Sequence, residues 1–378
     1  MQKLAIIGAS YLQLPLINKA KEMGLETHVF AWKCGDVGEK AADYFYPISI
    51  TEVEQIYERC KEVGIDGICT IASDLAVVPV NYVSAKMGLI GNSIESTKVC
   101  TNKAEMRKRF QACGDPSPTS FCVNNADEIF DVNLKFPVIV KPLDRSGSRG
   151  ITKVNNIDEL DKAITYAKEQ GFEDRAVVEE YLEGDEYSVE YISFNGNHEF
   201  LALTKKFTTG SPNFIERGHL QPAKVDSNIL ERVKIVINHA LDSLDIKYGA
   251  SHSEIKIDKN GNIGIIEIGA RMGGDFIGSN LVELSTGFDF VSAVINVALG
   301  IKPKVQIENM GYAASVFIIE PKDIKIYEQV KLQYSNNIIL EDISNNLEAD
   351  VVDSSSRHGY YIIFSEEYNS LFDSMCSE

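Results

Sequence analysis

Two glutamates, Glu254 and Glu267, flank Asn260-Gly261 in the run Ser253-Glu254-Ile255-Lys256-Ile257-Asp258-Lys259-Asn260-Gly261-Asn262-Ile263-Gly264-Ile265-Ile266-Glu267-Ile268. Asn-Gly between two β-rich runs is a strong hairpin signal. With Asn260 and Gly261 as the turn, Lys259 faces Asn262, and counting outward sets Glu254 opposite Glu267. Directly opposed residues on paired strands have Cβ atoms about 5 Å apart, and like charges there repel. A cation is therefore expected between the two carboxylates. With no thiol or imidazole in the pair, they suit a hard ion such as Mg²⁺, which completes its shell with water and substrate phosphate. A solvated hairpin face whose acids coincide is the alternative.

A second group of residues points to phosphate. The apolar run Phe136–Val140 ends in Lys141 and leads into Asp144-Arg145-Ser146-Gly147-Ser148-Arg149-Gly150. Glycines and serines let a loop turn backbone N–H groups and hydroxyls onto phosphate oxygens, although an ordinary flexible turn reads the same way. No Gly-x-x-x-x-Gly-Lys-Ser/Thr occurs, so this is not a Walker loop. An ammonium at the end of an apolar strand is costly to bury alone. A phosphate oxygen or a nearby acid would satisfy Lys141.

These side chains need elements to hold them. Leu4–Ile7, Thr27–Trp32 and Gly67–Ala72 read as strands, and Leu12–Met23, Glu52–Val63 and Leu75–Met87 as helices. That alternation predicts an open parallel sheet with ligands beyond the carboxyl ends of its strands. The first βα turn, Gly8-Ala9-Ser10-Tyr11-Leu12-Gln13, lacks the second and third glycines of the dinucleotide fingerprint. A nicotinamide or flavin enzyme is disfavoured, while a small substrate at this turn stays open. Further on, Lys103–Phe110, Ile157–Gln170, Ile229–Leu244 and Phe288–Leu299 are expected as helices. Glu186–Phe194 and Glu199–Leu203 should form a hairpin through Asn195-Gly196. Tyr312–Ile319, Lys325–Leu332 and Tyr360–Phe364 are expected as strands of a small antiparallel layer.

At 378 residues the chain should divide into two or three domains, and 44% hydrophobic with 24% charged residues is an ordinary globular composition. No apolar run is long enough to span a membrane, and Met1–Gly8 reads as a strand entering a turn rather than a signal peptide. A net charge of −18 argues against nucleic acid or an anionic membrane as partner, so positive charge for an anionic ligand must be local. Seven cysteines without a Cys-x-x-Cys pair fit reduced thiols in a cytoplasmic protein.

Five segments occur in a telling order: Thr101-Asn102-Lys103 opening a helix, Phe136–Pro142 with the Ser146–Gly150 loop, Val178–Glu190, Glu254, and Glu267-Ile268-Gly269-Ala270-Arg271. Over nearly the whole chain the series resembles the ATP-grasp superfamily of carboxylate–amine ligases, which includes biotin carboxylase and the purine-pathway synthetases. The resemblance implies an α/β fold with an N-terminal open parallel sheet domain (1–96) and a two-lobed ATP-grasp clamp (97–305, glycine-rich lobe about 115–182). A small C-terminal antiparallel subdomain (306–378) would follow. It also implies that Lys103 and Lys141 contact the phosphates of ATP, with Ser146, Gly147 and Ser148 folded over them. Glu179, Glu180, Tyr181 and Leu182 would lie against adenine, and Glu186 would take the ribose hydroxyls. Glu254 and Glu267 would hold two Mg²⁺ ions, with Mn²⁺ able to substitute. Arg271 would neutralise charge on the substrate and the transferring phosphate.

One departure stands out: many members place a further metal ligand, Asn, two residues after the second glutamate, where this chain has Gly269. The run Glu267–Asp275 is instead similar to the L-amino acid ligases, the dipeptide-forming branch. There a Glu-x-x-His pair seats the amino acid, and Glu216-Arg217-Gly218-His219 fits it. By that resemblance Glu216 receives an α-ammonium group, His219 contacts the reacting centre, and Arg271 and Gly274 complete the substrate site. An exposed loop histidine is the other reading of His219. His252 is expected to be structural, and Arg357-His358-Gly359-Tyr360, also similar to that branch, is given no role.

The activity implied is ligation of a small-molecule carboxylate to an amine through an acyl phosphate, with release of ADP and phosphate. The expected enzyme is cytoplasmic, free of nucleic acid and membrane, and compatible with a homodimer. A purine-pathway or bicarbonate-activating ligase, or a nucleotide-binding module without turnover, remains the alternative.

Overall fold

Three sheets carry the strands anticipated from the sequence, with one exception. The computed structural model describes residues 1–372 apart from 130, 131, 146, 148, 212, 213, 345, 346, 348 and 349. In the first sheet, β1 (Lys3–Ile7), β2 (Glu26–Phe30), β3 (Tyr44–Tyr46) and β4 (Gly67–Cys69) run parallel in the order β3-β2-β1-β4. Helices α1 (Leu14–Glu22), α2 (Val37–Ala41), α3 (Val53–Val63) and α4 (Asp74–Met87) connect and follow these strands. Strand order reverses at β1, which pairs with β2 on one side and β4 on the other. A crevice opens at such a switch point. Here the turn after β1 and the turn after β4 meet it, carrying Tyr11 and Asp74.

Helices α5 (Ile94–Thr101) and α6 (Lys103–Cys113) lead into the second sheet, an antiparallel lobe of β5 (Ser120–Val123), β6 (Val138–Pro142), β7 (Thr152–Val154) and β8 (Ala176–Glu180) in the order β5-β8-β6-β7. Helix α7 (Leu160–Gln170) covers it, and Val138, Val140, Leu160, Ile164 and Val178 form its own core.

The third sheet is antiparallel and has eight strands: β9 (Asp185–Phe194), β10 (Asn197–Thr208), β11 (Glu216–Gln221), β12 (Tyr248–Ile257), β13 (Ile263–Gly269), β14 (Tyr312–Ile318), β15 (Ile338–Ile343) and β16 (Gly359–Ser365). Their order is β13-β12-β9-β10-β11-β14-β16-β15, so the antiparallel C-terminal strands continue the sheet of the clamp through the β11–β14 pairing. Helices α8 (Ser227–Ser243), α9 (Val282–Thr286), α10 (Phe290–Ala298) and α11 (Pro321–Tyr334) complete the α-helices among the described residues. Residues of α10 share a core with Leu4, Ile6, Leu16 and Ile17, which fastens the parallel domain to the clamp.

One expected strand is corrected. Lys325–Leu332 lies within α11. The pattern Ile324-Lys325-Ile326 resembles alternation, but Pro321 at the first turn and reciprocal capping by Glu320 and Asp323 start a helix. Tyr327, Val330 and Tyr334 then meet the core at helical spacing.

Candidate active site

The β12–β13 hairpin sets the floor of the site, by a route that differs from the expected turn. The loop has three residues: Asp258 N–H donates to Asn262 O at 3.0 Å and Gly261 N–H to Asp258 O at 2.9 Å, with Gly261 at φ 77°. That register alone would place Ile266 opposite Glu254 and turn Glu267 to the other face. A bulge corrects it. Ile255 pairs with Ile265, Glu254 pairs with Glu267, and Ile266 is left as the extra residue. The Ile266 carbonyl is taken by Arg107 Nη2. Glu254 and Glu267 are thus opposed, and both line the same cavity.

The cations beside them are lysines. Lys103 Nζ donates to Glu267 Oε1 at 3.0 Å and to the Arg145 carbonyl at 2.7 Å. Lys206, which sequence reasoning missed, lies 2.7 Å from Glu254, 3.0 Å from Glu186 and 3.7 Å from Glu216. Burial disfavours its charge, but these three carboxylates outweigh that and raise its pKa. Glu254 is held in the opposite direction: burial works against its charge, while Lys206 and His252 lower its pKa.

Lys141 and Glu179 belong to one buried cluster. Glu179 on β8 accepts from Lys141 at 2.7 Å and from Arg107 at 2.8 and 3.2 Å. Despite desolvation, the two cations pull the Glu179 pKa down to about 2. Burial pushes the Lys141 ammonium in the opposite sense, to a lowered pKa, with Arg107 and Lys103 adding repulsion. Both directions follow from one anion shared between two cations. The acid that satisfies Lys141 is therefore Glu179, and the ammonium still lines the cavity with Glu180, Tyr181, Leu182 and Glu186. Lys153 and Lys256 stand 3.9 and 4.8 Å from the Tyr181 ring centre. Gly147 borders the same space, while Ser146 and Ser148 lie outside the described residues.

A second cavity adjoins the first, sharing Lys206, Glu216, His252, Glu254 and Arg271. Glu216 and His219 are three residues apart on a strand, which ordinarily puts them on opposite faces. A bulge again decides: Thr208 pairs with Glu216 and Phe207 with Gly218, so Arg217 is extra and the Glu216 and His219 side chains share a face. Arg217 turns to Glu320 and Asp323. Glu216 accepts from the Ser354 hydroxyl. His219 is 1% exposed, neither ring nitrogen has a hydrogen-bond partner among the described residues, and Nε2 stands 3.9 Å from Asp275 Oδ2. Burial lowers its pKa, keeping the imidazole neutral. Arg357, unassigned from sequence, pairs with Asp275 at 2.6 Å in the wall of this cavity.

Arg271 is gripped from the parallel domain. Its Nε and Nη2 donate to the two oxygens of Asp74, each at 2.8 Å. Beside this pair, Ala72 at φ 60° donates its N–H to the Met272 carbonyl at 3.1 Å. Gly269 now has a steric explanation: a Cβ there would lie 2.5 Å from Asp74 Oδ1. The Asp74 carboxylate occupies the room an asparagine would need. Asp74 was missed, although it follows Ser73, a side-chain helix cap, in the turn where a parallel sheet presents ligand groups. His252 is buried on β12; burial opposes its charge, but Glu190 and Glu254 raise its pKa to about 9. Its ring bonds Glu190 through Nδ1 and stands 3.5 Å from Glu254 through Nε2.

Residues 134–279 match the family model of the ATP-grasp domain. Among solved structures, an L-amino acid ligase from Bacillus licheniformis has a TM-score of 0.84 at 22% identity, covering 100% of this chain and 96% of that one. The biotin carboxylase domain of 2-oxoglutarate carboxylase from Hydrogenobacter thermophilus, in complex with MgADP, ADP and bicarbonate, has a TM-score of 0.76 at 17% identity, covering 99% and 88%. Residues 134–279 therefore match an ATP-grasp domain, and the chain shares the fold of these solved structures over its full length. In sequence it is similar to an alanine–anticapsin ligase of Bacillus subtilis (strain 168), 26% identical over 267 residues that cover 65% of this chain and 56% of that protein. It spans 56 to 62% of the length of the curated relatives of that name.

Proposed function

We propose that the chain is an ATP-dependent carboxylate–amine ligase that activates an amino acid as an acyl phosphate and joins it to an amine, giving an amide or dipeptide. The carrying observation is the opposed Glu254–Glu267 pair in a cavity walled by Lys103 and Lys141, with Glu254 also lining the adjoining cavity walled by Glu216, His219 and Arg271. A Mg²⁺ ion fits this pair: the donors are hard carboxylate oxygens that open onto the cavity, and each is held by an ammonium group. Glu254 and Glu267 would hold the metal, two ions in the full reading, and the same oxygen donors suit Mn²⁺. When bound, the metal neutralises phosphoryl charge and polarises the transferring group.

Around it the chain positions and neutralises. Lys103 and Lys141 face the phosphates, and the segment from Glu179 to Leu182 borders adenine, with Glu186 placed for the ribose. A carboxylate oxygen of the first substrate attacks the γ-phosphorus, the β–γ bridging bond breaks, and ADP leaves. Arg271, aligned by Asp74, retains N–H groups toward the substrate carboxylate and the transferring phosphate. The amine then attacks the acyl carbon, loses a proton to the neutral His219 imidazole, and expels phosphate. Glu216 receives the α-ammonium group of the amino acid, with Gly274 leaving room beside it.

The reaction is tested by ADP release from MgATP across single amino acids and pairs. Release that requires two amino acids supports dipeptide formation. Release with bicarbonate or an aminoribosyl phosphate assigns another ligase chemistry, and the absence of release with every substrate favours a binding module.

A further inference from the structure

We propose that Glu190 is a positioning residue that couples the metal carboxylates to the arginine segment; this rests on the ligase reading above. Glu190 lies on β9 with no exposure and borders none of the site cavities described above, so it acts through other groups. Its two oxygens do different things. Oε1 bonds His252 Nδ1, and His252 Nε2 in turn stands 3.5 Å from Glu254 Oε1. Oε2 accepts the Gly273 N–H at 3.1 Å, two residues beyond Arg271.

One carboxylate therefore fixes the ring that faces Glu254 and the backbone that carries Arg271. A hydrogen bond to one ring nitrogen decides what the other presents. With Nδ1 committed to Glu190, Nε2 is the nitrogen offered to Glu254. Gly273 supports the same reading through space rather than backbone freedom. A Cβ at that position would lie 2.7 Å from His252 Nδ1 and 2.8 Å from Glu190 Oε1. Its φ is not among the left-handed values, so the requirement is close approach of the Glu190–His252 pair. Burying a carboxylate is costly without partners, and Glu190 spends both oxygens on the two halves of the site.

The test measures ADP binding by calorimetry with Mn²⁺ and with metal chelated away, for the wild-type protein and E190Q. Glutamine keeps an acceptor for Gly273 but presents an amide where His252 needs a carboxylate. The expected result is at least tenfold weaker Mn²⁺-dependent binding, with metal-free ADP affinity within twofold of wild type. A merely structural role would weaken both equally, and that outcome overturns the proposal. So does Mn²⁺-dependent binding within twofold of wild type. If E190Q does not fold, H252N interrupts the same chain while leaving the Glu190–Gly273 bond, and the same two outcomes decide. A wild-type protein whose ADP affinity ignores Mn²⁺ defeats the metal reading itself and this inference with it. Metal-sensitive wild type with metal-insensitive loss in E190Q defeats only the role of Glu190.

Discussion

Replacing Glu179 with Gln removes the carboxylate that Arg107 and Lys141 share at 4% exposure. The Glu179 pKa falls from 4.5 to about 2, and at about 1.36 kcal/mol per pH unit the difference corresponds to about 3 kcal/mol. Breaking a buried ion pair from one side costs about 3–5 kcal/mol, because the remaining charges stay buried. The two figures agree, so Glu179→Gln is expected to lose about 3–4 kcal/mol of unfolding free energy at pH 7. The sign with pH follows from a depressed pKa: this stabilisation is complete above the unfolded value near 4.5 and disappears as pH falls toward about 2. Wild type should therefore lose stability between pH 5 and 2 more steeply than the variant. Urea unfolding followed by circular dichroism, with nucleotide absent, measures both quantities. A loss below about 1 kcal/mol at pH 7, or parallel pH curves, would refute the shared-anion geometry.

Other perturbations test the site in turn. Asp74→Asn keeps one of the two bonds to Arg271; losing a hydrogen bond to a charged group costs about 1.5–3 kcal/mol, so kcat/KM should drop roughly 10- to 100-fold. Unchanged kcat/KM would separate Asp74 from catalysis. His219 must be neutral to accept a proton, and burial lowers its pKa below 6.5. The acid limb of kcat/KM should accordingly inflect below pH 6.5, and an inflection above that value contradicts the assignment. Glu267→Gln removes one of the two opposed carboxylates. The variant should lose several kcal/mol of transition-state stabilisation with metal, and near-normal turnover would contradict the metal assignment.

Much of this was legible in the sequence because local patterns and tertiary demands agree. The N-terminal alternation, the Asn195-Gly196 hairpin and the apolar strand ending in Lys141 all appear as expected. Less legible were features that depend on an extra residue. Glu254 and Glu267 face one another only because a bulge offsets a three-residue turn, and Glu216 joins His219 on one face only because Arg217 is bulged out. Counting along a strand cannot reveal either. Lys206, Asp74 and Glu190 were missed for a different reason: each gains meaning from a partner far away in sequence, on another strand or in another domain. The helix at 321–334 was misread because three residues of apparent alternation outweighed its proline and capping acids.

Acyl phosphate formation is the central chemical claim, and hydroxylamine trapping measures it most directly. With MgATP, hydroxylamine and the preferred amino acid, the protein should produce an aminoacyl hydroxamate in amounts equal to the ADP released, and Glu267→Gln should abolish both. ADP formation without hydroxamate, or hydroxamate accompanied by AMP and pyrophosphate, would contradict phosphoryl transfer to a carboxylate.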